Sequence, residues 1–251
     1  MAILVALLFA FPSASSAEDA SPAAAAGVAT AAPAFERAPL LLSGTVADVA
    51  ESVAERLTAG TLLFSKGDCL YVTAFTGSEY THVGVVVEDA AGARSVVDSM
   101  KGHGVRRSTV AGYLASMQDA EVLIYQPQAV LDETQRQTLD RYTASELGRP
   151  YGVSHYLTGQ PAEGVHCSEF ASSSLRAAGL VRVNRPSDLS PGSLLRGVSR
   201  AGRWQLAATL QLSMPEAIKP SDLSCCESFW WDTKKCCRDT GDWFSGLFLC
   251  R

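Results

Sequence analysis

The chain is poor in positive charge and has no basic cluster. It carries 21 Lys and Arg against 26 Asp and Glu, a formal net charge of −5. Nucleic-acid binding rests on neutralising phosphates, so nothing here points to such a partner. Long apolar runs are lacking too. The run from Ile3 to Phe11 in "MAILVALLFAFPSASSAEDASP" is too short to cross a bilayer. Histidine is scarce, at four residues, and no metal-ligand spacing surrounds them. No cofactor or metal is expected, and no internal repeat is visible.

Apolar residues make up 47% of the chain and charged residues 19%, enough for a real core. Pro12 and small residues follow the first apolar run, and Ser15 and Ala17 suit cleavage before Glu18. Residues 1–17 are therefore expected to be a signal peptide, although no Lys or Arg precedes the run. The chain is expected to be secreted or periplasmic. Residues 18–43 are Ala- and Pro-rich without a period and are expected to be a linker. Residues 44–224 are expected to form the domain, and 225–251 a Cys/Trp-rich tail.

Within the domain, Thr45 is a predicted N-cap for a helix with Val46, Val49, Val53 and Leu57 on one face. Short Val-rich runs at 61–64, 82–88, 94–98 and 121–126 predict strands. Asp132 and Gln135 form a capping-box pattern for a helix over 133–147, stopped by Gly148 and Pro150. Another helix opens near Cys167 in "EGVHCSEFASSSLRAAG" and ends at Gly179. Strands and helices come mixed, so the fold class is α+β, with a largely antiparallel sheet packed against helices.

Cys167 is the first chemistry-bearing residue. The unpaired N–H groups and positive dipole end of a helix start favour a thiolate. A free cysteine is also a common buried hydrophobe. A nucleophile needs a base, and His82 opens the strand "THVGVVVE". His166, adjacent to Cys167, points elsewhere at a helix start and is expected to be a pocket residue. The base needs an orienting group. A hairpin with the three-residue loop Asp89-Ala90-Ala91 sets Glu88 against Gly92 and His82 against Asp98, on one face. A one-residue slip separates them. Glu88, His103 and Glu169 are weaker candidates for the third role. Tyr80 is a candidate to offer its hydroxyl to the substrate, or else to pack as a strand-edge aromatic.

"GTLLF", "YTHVGVVVE", "VVD", "ELGRPYG", "HCSEF" and "IKPSDL" occur in one order. This series resembles the circularly permuted, papain-like branch of the NlpC-type cysteine hydrolases, the YiiX and YaeF group, over roughly residues 58–223. In that branch the histidine precedes the cysteine. The resemblance implies a papain-like fold with Cys167 as nucleophile at a helix N-terminus, His82 as base and Asp98 as third residue. The family usually has Glu where this chain has Asp98, and often an aromatic where it has His166. The implied function is hydrolysis of an amide bond, in a peptide or cell-wall peptide, through a thioacyl-enzyme. An acyl-ester or lipid hydrolase or acyltransferase using the same site is the alternative. A non-catalytic binding or structural module is the other.

The tail, "SCCESFWWDTKKCCRDTGDWFSGLFLCR", holds five of the seven cysteines and Trp230, Trp231 and Trp243. In an exported chain its two vicinal cysteine pairs are expected to be cross-linked to each other, stapling a small loop. Its tryptophans are expected to pack over the domain or to touch a membrane surface.

Overall fold

The computed structural model describes residues 39–67, 70–117, 120–160, 162–213, 219–221 and 223–249. The expected signal peptide, most of the expected linker, Cys69, Cys250 and the Trp243 side chain lie outside the description.

Seven strands form one sheet: β1 (Leu40–Gly44), β2 (Leu62–Lys66), β3 (Tyr80–Glu88), β4 (Arg94–Met100), β5 (Gly104–Ser108), β6 (Glu121–Pro127) and β7 (Trp204–Leu212). Their order is β1-β7-β6-β2-β3-β4-β5. Every pairing is antiparallel except that of β1 with β7. The end of the expected linker is thus a strand. Its alternating half-buried Leu40 and Leu42 mark the inward face.

Helices cover both faces. The chain-order set is α1 (Val46–Ala54), α2 (Leu70–Thr76), α3 (Val110–Ala115), α4 (Glu133–Ser145), α5 (Ser154–Thr158), α6 (Cys167–Ala177), α7 (Pro191–Arg200) and α8 (Cys225–Leu249). On β3, Val83, Val85 and Val87 pack with Leu139 of α4, Phe170 of α6 and Leu194 of α7. Val86 faces the other way, with Val53 of α1 and Leu114 of α3. Because β3 is covered on both faces, it reads as a continuous apolar run. Among the described residues, no helix is long and apolar enough to cross a membrane.

Local signals set the helix starts. Asp48 accepts from the Thr45 N–H at 2.8 Å. Asp132 accepts from the Gln135 N–H at 2.8 Å, and Gln135 answers to the Asp132 N–H at 3.1 Å. The pairing satisfies two donors that the first turn of α4 leaves open.

The β3–β4 hairpin differs from the expected register by two residues. Glu88 pairs with Arg94, and Gly84 pairs with Asp98. The Asp89 carboxylate accepts from the N–H groups of Ala91 and Ala93, both at 2.9 Å, and Gly92 adopts a positive φ of 80°. This Asx-type turn lengthens the loop to Asp89–Ala93. A two-residue shift preserves the face, so His82 and Asp98 stay on one side as diagonal neighbours.

Candidate active site

The β3–β4 ladder ends at Gly84 and Asp98, although β3 begins at Tyr80 and β4 runs on to Met100. The strands part there, and the segment leading into α6 joins them. Ser99 donates from its hydroxyl to the Val165 carbonyl at 2.7 Å. The turn after α4 braces the same segment. The Pro150 carbonyl accepts from Val165 N–H at 2.9 Å, and the Arg149 carbonyl accepts from Val105 N–H at 2.8 Å. Gly152 and Gly164 meet in this brace, and a Cβ on Gly164 would lie 2.7 Å from the Gly152 Cα. The "GRPYG" turn thereby holds the chain just before Cys167 against β5.

Cys167 is the first residue of α6 and is 4% exposed. Its thiol lies 3.9 Å from the Thr81 carbonyl, next to His82. His82 Nε2 is 2.8 Å from Asp98 Oδ2, and Asp98 is fully buried. Asp98 does not rest on His82 alone. Arg106, directly opposite on β5, donates from Nε to Asp98 Oδ1 at 3.0 Å. Its other arm reaches Ser116 Oγ at 2.9 Å. A buried carboxylate is costly unless paired and hydrogen-bonded, and two cationic donors meet that need here.

Burial pushes the His82 pKa down, but the Asp98 hydrogen bond, a hydrogen bond with Cys167 and their charges outweigh it and raise it to about 10. Burial pushes the Asp98 carboxyl up, and the bonds to His82 and Arg106 outweigh that and hold it below its usual 3.8. Asp98 engages Nε2 and leaves Nδ1 as the other ring nitrogen.

The His82 ring also stacks on Tyr113 of α3, centroids 6.1 Å apart at 28°. Tyr113 donates to the Leu63 carbonyl at 3.2 Å, which fixes the ring. Gly84 makes room for it, since a Cβ there would lie 2.8 Å from the Tyr113 ring and 2.7 Å from Val96. The glycine of the His-x-Gly strand start therefore lets an aromatic plate lie behind the histidine. Gly84→Ala is expected to cost about 1–3 kcal/mol of stability through overpacking. It is also expected to lower activity by displacing His82. Urea unfolding and steady-state kinetics on the variant check both.

His166 takes a different part. It is the N-cap of α6, its Nδ1 accepting from the Glu169 N–H at 3.3 Å. Nε2–H donates to the Ser187 carbonyl at 3.0 Å. Burial holds its pKa below the usual 6.5, which keeps it neutral and able to cap. It also lines the cavity next to Cys167. Glu169 pairs with His155 at 3.1 Å, so the structure does not bring it to His82 as a third residue. Glu88 lies with Arg94, and His103 is exposed. Tyr80 is not among the cavity's lining residues. Its hydroxyl donates to Glu121 at 2.7 Å, and burial with that bond raises its pKa.

The cavity beside Cys167 is small, about 40 Å3, and opens to solvent on one side. Val72, Val153, Tyr156, Leu157, Leu189 and Pro191 give it an apolar wall.

The comparisons with known proteins bear on this arrangement. A family model described as "Permuted papain-like amidase enzyme, YaeF/YiiX, C92 family" matches residues 56–218. The chain belongs to this family. Peptidase_C92 is a family of cysteine amidases, so the chain has the permuted papain-like fold and the enzyme class of that family. A solved structure described as metalloprotein yiiX from Escherichia coli O157:H7 is similar at 19% identity and a TM-score of 0.43. The match covers 64% of this chain and 90% of that one. No curated protein matches the chain.

Arg106, Tyr113 and Ser116 are site-shaping residues that the sequence alone did not reveal. Arg106 sits in "GVRRS", a segment with a single large apolar residue and so no strand pattern of its own. It gains a partner only through the β4–β5 register. The tail also differs from expectation. Cys225, Cys226, Cys236 and Cys237 are free and exposed on the single helix α8. A helix rises about 1.5 Å per residue, so pairs eleven residues apart stand about 16 Å from each other. A disulfide spans at most about 7 Å between Cα atoms, so the expected internal staple does not fit. The hydroxyl and carboxylate of Ser224 and Glu227 cap this helix at its start.

Proposed function

We propose that the chain hydrolyses amide bonds with Cys167 as nucleophile, His82 as general acid and base, and Asp98 as the orienting carboxylate. The His82–Asp98 hydrogen bond, with the Cys167 thiol against the Thr81 carbonyl that precedes His82, is the observation that carries this reading. A Cys167 thiolate beside a His82 imidazolium, with Asp98 and Arg106 behind, leaves the buried group electrically balanced.

In the proposed reaction the Cys167 thiolate adds to the acyl carbon, and the carbonyl electrons move onto oxygen. The first turn of α6 has N–H groups without helical acceptors, and that of Cys167 is suited to receive the oxyanion. The C–N bond then breaks, and the His82 imidazolium gives its proton to the departing amine. Neutral His82 next takes a proton from water, which adds to the thioester carbon. The C–S bond breaks, the carboxylic acid leaves, and the thiolate–imidazolium pair is restored.

The apolar cavity supports an apolar group on the acyl side of the scissile bond, in a peptide or cell-wall peptide. The same wall favours, as a second reading, an acyl-ester substrate. Wild type and Cys167→Ala are to be incubated with peptidoglycan fragments, peptides and acyl lipids, and the products weighed by mass spectrometry. Cys167-dependent amide cleavage is expected. Cleavage of esters alone would replace the first reading with the second, and identical products from both chains would end both. The same proposal has the chain exported, with residues 1–17 removed. A mature N-terminus other than one near Glu18 would count against that.

The raised His82 pKa has a pH consequence. Below the ordinary 6.5 the imidazole is protonated in folded and unfolded chains alike, and its contribution to stability is complete. That contribution is lost as pH rises from 6.5 through about 10. Asp98 acts in the opposite sense, its contribution fading as pH falls below 3.8. Thermal unfolding between pH 6 and 11 is expected to show a falling Tm that flattens in His82→Gln.

A further inference from the structure

The helix that rules out an internal staple arranges the same four cysteines for a different bond. Positions eleven apart on a helix differ by only about 20° around its axis. Cys225 and Cys236 therefore share one line along α8, and Cys226 and Cys237 share the next. Phe229 and Trp230 fall between them on the same stripe, 66% and 59% exposed. All four cysteines on this stripe are free and exposed. The half-buried Ser228 and Trp231 lie on the opposite side, and the half-buried Thr233 falls within the stripe between the two cysteine lines.

We propose that α8 pairs antiparallel with α8 of a second copy of this chain, and that disulfides between copies lock the pair. A two-fold axis passing the helices at Trp231 sets Cys226 of one copy beside Cys237 of the other, and Cys225 beside Cys236. Each pair is offset by a single residue. Packed helices lie about 8–10 Å apart with a Cα radius of roughly 2.3 Å, so facing Cα atoms on the stripe approach to about 4.5–6.5 Å. Disulfides require about that separation.

Charge agrees with the same axis. Glu227 of one copy falls beside Lys234 of the other on a shared flank, twice by symmetry. Hydrogen bonds from the Ser224 hydroxyl and N–H hold the Glu227 carboxyl below its usual range, so it is ionised. The one pair of like charges brought near, Asp232 and its mate, is already neutralised by Lys219 of its own chain at 2.7 Å. A stripe of seven residues, Thr233 included, is well short of the roughly 800 Å2 per partner of a stable interface. The covalent bonds are therefore what hold the pair. In each, two thiols lose two protons and two electrons to a small-molecule disulfide, which leaves as two thiols.

The test uses the reduced full chain, treated with oxidised glutathione and run on non-reducing gels, with isotopically labelled and unlabelled chains mixed. Wild type is expected to form a covalent dimer whose linked peptides join one labelled and one unlabelled chain. The double variant Cys225→Ser/Cys236→Ser keeps Cys226 and Cys237 and is expected to dimerise as well. The double variant Cys225→Ser/Cys226→Ser retains only Cys236 and Cys237, which the axis holds far apart, and dimerisation is expected to be at least several-fold slower. Lys234→Glu is expected to slow cross-linking of wild type at low salt, and Glu227→Lys in the same chain to restore it. A monomer carrying only glutathione adducts or internal bonds would overturn the proposal. So would equal cross-linking by the two double variants, which indicates parallel or random contact.

Discussion

Cys167→Ala is expected to abolish amide hydrolysis, lowering kcat by on the order of 10⁴-fold or more while the fold persists. The size of the effect follows from the steps assigned to sulfur. It makes and breaks the only covalent bond between enzyme and acyl group, and water in its place lacks both its nucleophilicity and its position. The cost to stability is small by comparison, about 1–2 kcal/mol for shortening one buried side chain. The cavity beside it is already open to solvent on one side. Activity assays and urea unfolding on the same preparation check the pair of outcomes. Loss of activity, with an unfolding midpoint lowered no further than about 1–2 kcal/mol accounts for, is the expected result. Full activity in the variant would remove Cys167 from the chemistry.

The second large effect is expected at Asp98→Asn. The amide keeps the carboxylate's shape but removes its charge and offers an N–H where both neighbours also donate. Its single oxygen can accept from His82 Nε2–H or from Arg106 Nε–H but not from both, so one of the two loses its acceptor and faces an N–H. Activity is expected to fall by on the order of 10²–10⁴-fold, because the imidazole loses the tautomer and orientation that its role needs. Stability is expected to fall by about 3 kcal/mol, the low end for removing one partner of a buried ion pair. It lies at the low end because Arg106 retains some solvent access and its bond to Ser116. The His82 pKa is expected to drop from about 10 towards its ordinary 6.5, since the Asp98 bond is the largest of the influences raising it. NMR titration of the His82 ring distinguishes this from general damage, because a merely loosened fold would not move the ring's titration in that direction.

The elements carried by local chemistry were legible from the residues. Asp132 and Gln135 announce α4, and the Val-rich runs announce β3 and β4. The face shared by His82 and Asp98 was legible for a specific reason: it depends only on parity, and the two-residue error in loop length left parity intact. Features that depend on distant pairing were not legible. β5 is short and half polar, and it becomes a strand through its ladder with β4. Arg106 could not be assigned without that ladder. β7, with its Ala and Gln residues, is stabilised by neighbours on both sides and carries weak propensity of its own. In the tail, cysteine density suggested a stapled loop, while the Ser224-x-x-Glu227 capping pattern was the signal for a helix. Glu169 illustrates the same limit. Its place in the Cys-Ser-Glu helix start was plain, but its partner His155 comes from another helix.

The coupling of Cys167 to His82 is tested most directly by the rate of Cys167 alkylation with iodoacetamide as a function of pH, followed by mass spectrometry of its peptide. The four exposed thiols of α8 serve as references within the same molecule. A thiolate held beside an imidazolium is expected to react at pH 6 far faster than those references, and His82→Ala is expected to erase the difference. Reaction of Cys167 at pH 6 no faster than the α8 thiols, or a fast rate that survives in His82→Ala, would contradict it.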